Sequence, residues 1–150
     1  MPNANDPPVH PRELGFVLGL TIVFNSDGAP IISDVTPEAI AHTDVVYVAM
    51  LPSGKALKVG VSKKGARSRW AGILSVMDIT RWPKLKPNQQ NDGRRLLLHA
   101  AGTEFTVWVK PSLQILIPYA AHLMDQTVSA RHAEEIFLDR YYQPLFGQRL

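Results

Sequence analysis

Apolar positions along the chain follow two spacings, every second residue in some stretches and every third or fourth in others. Leu14 to Phe24 is rich in β-branched and aromatic residues and predicts a strand. Asn25-Ser26-Asp27-Gly28 is a turn signal, and Pro30 to Ile32 predicts a returning strand. Thr36-Pro37-Glu38 has a capping residue followed by proline at the first helical position, so a short helix is expected to about His42. Val45 to Leu51 is the clearest strand. Pro52-Ser53-Gly54 turns the chain, and Ala56 to Ser62 pairs back as a hairpin. Strict alternation puts Val46, Val48 and Met50 on one face with Leu57, Val59 and Val61, which predicts the core side. Tyr47, Ala49, Lys58 and Gly60 then project from the other side, which the main core does not need.

Beyond the hairpin the spacing becomes helical. Ala66, Trp70, Ile73, Leu74 and Met77 form one stripe and predict a helix over Ala66 to Met77, with Arg67 and Arg69 in its first turn. Trp82 to Gln90, with prolines at 83 and 87, predicts a loop. Asp92 is expected to cap a helix from Arg94 to Ala101, ended by Gly102. Glu104 to Lys110 predicts a third strand of the core. Leu113 to Leu123 is compatible with strand or helix. A final helix is expected from about Ser129 to Tyr142, stopping before Pro144. Trp70 and Trp108 fall at core positions, while Trp82 is free to stack on a base.

The 150 residues suit one domain, and 45% hydrophobic content is enough for a core. With no cysteine, disulfides, thiolate chemistry and cysteine-ligated zinc are excluded, and a reducing cytoplasm is the expected location. The longest apolar stretch is too short to cross a bilayer, and the proline-rich start lacks the basic residues of a signal peptide. A soluble protein with a flexible first ten residues is expected. The total charge is +3, but Lys55 to Arg95 holds eleven lysines and arginines against Asp78 and Asp92. That leaves a basic middle on an otherwise acidic chain, and a polyanion such as nucleic acid as the expected partner. A solvated basic face is the plain alternative. The histidines at 10, 42, 99, 122 and 132 show no metal-ligand spacing.

From Val45 onward the order is strand, strand, arginine helix, helix, strand, glutamate helix. With its residues, this order resembles the GIY-YIG nuclease superfamily over the last two thirds of the chain. Val45-Val46-Tyr47 matches the end of the first motif, and Lys58-Val59-Gly60 matches the start of the second. Arg69-Trp70 matches the arginine opening a helix. Ala133-Glu134-Glu135-Ile136-Phe137-Leu138 is the candidate for the glutamate helix. Glu134 has apolar residues three and four positions on, and falls within the helix's apolar arc. Glu135 fits the spacing to Pro144-Leu145-Phe146-Gly147, a proline-aromatic tail like the family's. Glu134 is favoured. Val45 replaces the first motif's glycine, Lys58 the second motif's tyrosine, Ile73 a frequent histidine, and Gly147 an asparagine.

The resemblance implies an α/β (α+β) fold: a small mixed three-stranded sheet flanked by helices over 44–150, with a tail and strand-pair extension over 1–43. It implies a divalent-metal-dependent endonuclease that hydrolyses DNA. Glu134 or Glu135 would hold Mg²⁺ or Mn²⁺ through hard oxygen donors. Arg69 would grip the phosphate bidentately. Its place at a helix start, where the dipole disfavours a cation, suggests a functional reason. Lys58 would lower the pKa of Tyr47, and Tyr47 would take a proton from the attacking water. Lys55, Lys63, Lys64 and Arg67 would contact nucleic acid. Without an appended recognition domain, target choice is expected to need a homodimer or a partner protein. Two other readings stand beside this one: a nucleic-acid-binding module that has lost the chemistry, and a structural or interaction domain.

Overall fold

The computed structural model describes residues 6–116 and 127–147. Five strands form one antiparallel sheet: β1 (Val17–Phe24), β2 (Pro30–Val35), β3 (Val45–Met50), β4 (Ala56–Ser62) and β5 (Phe105–Pro111), in the order β2-β1-β5-β3-β4. The sequence predicts a strand pair appended to a mixed three-stranded sheet. Instead β1 continues the ladder directly, from Val17↔Val109 to Ile22↔Phe105, and every pairing is antiparallel. A short helix α1 (Pro37–Ile40) leads from β2 to β3. Two small strands, β6 (Gln114–Leu116) and β7 (Thr127–Ser129), pair with each other. The expected continuation of the Leu113 to Leu123 stretch past residue 116 lies outside the described residues.

Helices cover both faces of the sheet. On one face lie α2 (Ala66–Met77) and α3 (Pro87–Ala100), over Leu20, Ile22, Val45, Tyr47, Ala49, Phe105 and Val107. Trp70 anchors α2, fully buried against Tyr47 and Phe105 with ring centroids 5.6 and 5.8 Å away. On the other face α4 (Arg131–Tyr142) packs Leu138 and Tyr142 on Phe16, Val46, Val48 and Trp108. All six residues of β3 are therefore buried. The expectation that Tyr47 faces away from the main core is corrected: its side is the larger core. The unbroken run Val45-Val46-Tyr47-Val48-Ala49-Met50 is what a strand covered on both faces requires.

Leu57 also departs from strict alternation. Lys58 pairs with Ala49 but Ala56 pairs with Met50, so Leu57 is the extra residue of a β-bulge. The bulge turns Leu57 to the α2–α3 face and Ala56 to the other. The α3 helix begins seven residues earlier than expected. Pro87 occupies its first turn, where a missing N–H costs nothing, and Gln89 Oε1 accepts from Lys86 N at 3.0 Å. Asp92 is therefore inside the helix and does not cap it. Residues 79–84 form a 3-10 helix in place of a loop, with Trp82 Nε1 donating to Val76 O at 2.8 Å. Nor is the start of the chain a free tail from residue 6 onward. Val9 N donates to Tyr141 Oη, Tyr142 Oη donates to Val9 O, both at 2.8 Å, and His10 meets Trp108 edge-on.

Candidate active site

Tyr47 in β3 stands opposite Gly60 in the edge strand β4. A Cβ at position 60 would lie 2.3 Å from Tyr47 Oη and 2.5 Å from Cζ. The ring thus crosses bare backbone, which carries its hydroxyl over the edge strand. Tyr47 is fully buried, and its Oη makes no hydrogen bond of good geometry among the described residues, although Arg69 is poised to donate to it. Burial pushes the phenol's pKa up to about 12. The nearby Arg69 guanidinium opposes that rise and Glu135 adds to it.

Lys58 lies on the same face of β4, opposite Ala49. Burial, then Arg69, lowers its pKa, while Glu135, Asp92 and Asp139 pull it upward. Lys58 therefore sits among charges from three helices. The sequence reading made Lys58 the cation acting on the phenol. Arg69 takes that part, and Lys58 Nζ is held 4.8 Å from the centre of the Phe146 ring.

The two glutamates of α4 separate cleanly. Glu134 Oε2 pairs with Lys110 at 2.8 Å, and Oε1 accepts from Leu113 N at 2.6 Å. Its position within the apolar arc is real, and Lys110 neutralises its charge. Glu135, one residue further round the helix, acts electrostatically on Tyr47 and Lys58, and forms no ion pair among the described residues. The sequence preference for Glu134 rests on the apolar residues three and four positions on and on the helical wheel, both of them local signals. Lys110, 24 positions away in sequence, gives Glu134 an ion-pair partner that no local signal shows.

Arg69 is exposed and lines an open cleft of about 490 Å³ with Ser62, Lys63, Lys64, Ser68, Arg131 and His132 among others. The cleft sits at the start of α2, whose N-cap Gly65 supplies no side-chain cap, so the dipole there also favours an anion. Lys63 and Lys64 are brought to this cleft. Arg67 is exposed but does not line it, and Lys55 lies at the other end of the β3–β4 hairpin. Sequence reasoning passed over Arg131 and read His132 as a plain surface or core imidazole, and both line the cleft. Arg131 pairs with Asp44 at 3.1 Å, and His132 stands one helical turn before Glu135 on α4. Among the described residues no three of His, Asp and Glu cluster as a metal cage. Nor is any helix among them long and apolar enough to cross a membrane.

No protein-family model and no curated protein sequence matches the chain. Its fold does match solved structures. A mutant of bacteriophage T4 EndoII superposes with a TM-score of 0.58 at 14% identity, over 91% of this chain and 95% of that one. The restriction endonuclease HPY188I, in complex with product DNA, superposes with a TM-score of 0.54 at 15% identity, over 93% and 82%. The α+β architecture of a five-stranded antiparallel sheet flanked by helices is one that nucleases share.

Proposed function

We propose that the chain is a divalent-metal-dependent endonuclease of the GIY-YIG type that hydrolyses DNA. One observation carries this reading: Arg69 of α2 and Glu135 of α4 both act on Tyr47 of β3 and on Lys58 of β4, and Arg69 lines a basic cleft. Two proteins of the same fold are EndoII and a restriction endonuclease holding product DNA, which supports DNA as the polymer.

Hydrolysis adds water across a P–O bond and leaves a phosphate and a hydroxyl. Lys63, Lys64 and Arg69 attract the phosphodiester backbone into the cleft. Arg69 grips the scissile phosphate, where a planar fork matches two oxygens and stabilises the charge that grows in the transition state. Tyr47 accepts the proton of the attacking water, with the Arg69 guanidinium favouring its phenolate form. Lys58 supplies a second, partly desolvated positive charge on the same strand face. Glu135 fits a hard divalent cation: it offers oxygen donors and has no ion pair among the described residues. Bound there, Mg²⁺ or Mn²⁺ would supply Lewis-acid stabilisation of phosphate charge.

The test is cleavage of supercoiled plasmid by the purified protein with Mg²⁺ or Mn²⁺. Cutting is expected, with loss in Tyr47→Phe, Arg69→Ala and Glu135→Ala and retention in Glu134→Ala. Undiminished cutting by Glu135→Ala overturns the assignment. A phenol pushed up to about 12 favours one second reading, a binding module without chemistry. That reading expects salt-sensitive DNA binding and intact plasmid under either metal.

A further inference from the structure

After α4 the chain returns to the sheet. Leu145 N donates to Ala56 O at 3.0 Å and Phe146 N to Leu57 O at 2.9 Å, which lays the segment along the free edge of β4. Successive carbonyls of a regular strand point to opposite sides. The bulge at Leu57 is what lets two in a row accept from one neighbour. Leu145 and Phe146 pack against the core on the α2–α3 face.

The Phe146 ring then meets two cations. Lys58 Nζ lies 4.8 Å from its centroid and Arg95 Cζ 4.4 Å from it. Arg95 also donates from Nη2 to Phe146 O, and its Nη1 faces Asp92 at 3.8 Å. On the α4 side, a Cβ on Gly147 would stand 3.0 Å from Asp139 Oδ1. The segment therefore bridges α3 and α4 across the strand that carries Lys58. An aliphatic side chain would close this edge equally well. What the ring adds is an electron-rich face that attracts an ammonium.

We propose that Phe146 is a positioning residue that holds the Lys58 amine in place, so that residues 144–147 form part of the site. The inference rests on the reading of Lys58 as a site residue. Arg69 from α2, Asp92 and Arg95 from α3, and Glu135 and Asp139 from α4 are the charges around this amine and ring. Left free, a four-carbon side chain among them has several partners to choose from; the ring selects one orientation.

Two variants separate positioning from packing. Phe146→Leu keeps the apolar cover and removes the aromatic face, whereas Phe146→Trp keeps both. Acetylation of Lys58 by acetic anhydride, followed by mass spectrometry on the DNA-free protein, is expected to quicken about threefold in Phe146→Leu and to stay at the wild-type rate in Phe146→Trp. Melting temperatures are expected to change little. In plasmid cleavage Phe146→Leu is expected to lower kcat about fivefold with KM within about twofold, and Phe146→Trp to restore it. Wild-type labelling in Phe146→Leu overturns the proposal. So does faster labelling accompanied by a collapse in melting temperature, which assigns Phe146 to packing alone. A wild-type protein that cuts nothing defeats the nuclease reading, and the labelling result still decides the role of Phe146.

Discussion

A phenol with its pKa raised to about 12 is almost wholly protonated at neutral pH. If its phenolate accepts the proton of water, the reactive fraction grows about tenfold per pH unit. Cleavage by the wild-type protein is therefore expected to climb with pH from 6 to 9 at a slope of about one log unit per unit. A flat pH–rate profile would remove Tyr47 from the chemistry. The adjacent glutamates make a second test at this scale. Glu134→Ala strips Lys110 of its partner at a largely buried position and is expected to cost about 1–3 kcal/mol in urea unfolding. Cleavage by the folded variant should persist. An equal loss of cleavage in Glu134→Ala and Glu135→Ala would contradict this division of roles. The residue types of the proposed site are legible in the sequence through their order and spacing. The partners that set Glu134 apart from Glu135 are not, because Lys110 and Leu113 lie far from it along the chain.

Elements meet here at glycines. Gly93 of α3 is pressed on α2: a Cβ there would lie 2.0 Å from Val76 O. Backbone cannot yield as a flexible side chain can, so Gly93→Ala is expected to destabilise by about 1–3 kcal/mol or more, measured by thermal melting. Gly60→Ala acts differently, because its Cβ displaces the Tyr47 ring. It is expected to reduce cleavage about 100-fold while DNA binding stays within a few-fold. Retained cleavage would mean that the phenol's placement over β4 is unimportant. The bounds of β4 and α2 followed from alternation and from the 3.6-residue stripe, and they agree with the structure. The start of α3 was hidden because Pro87 reads as a breaker in sequence and acts as an initiator in space. The bulge at Leu57 reversed one side chain of a correctly placed strand.

The basic residues of the middle segment are not equivalent once the chain is folded. Lys63 and Lys64 line the cleft with Arg69, whereas Lys55 lies at the opposite end of the hairpin. Each cation that neutralises a phosphate contributes about 0.9 to the slope of log affinity against log salt. Lys63→Ala with Lys64→Ala is therefore expected to reduce that slope by nearly two, and Lys55→Ala to leave it unchanged. Fluorescence anisotropy with a short duplex at several salt concentrations measures both. Equal effects of all three would return the binding surface to a diffuse basic face.

Periodicity alone determined where most strands and helices lie, because each must present a repeating apolar face to some core. Order and spacing along the chain single out Tyr47, Lys58 and Arg69 as the proposed set. Only the tertiary structure decided that both faces of β3 are buried, that β1 and β2 complete the same sheet, and that Glu134 meets Lys110 while the charge of Glu135 acts on Tyr47. The reason is one of range. A side chain's local pattern depends on neighbours three or four residues away, whereas its burial, its charge partner and the space before it are set by residues brought close from far along the chain.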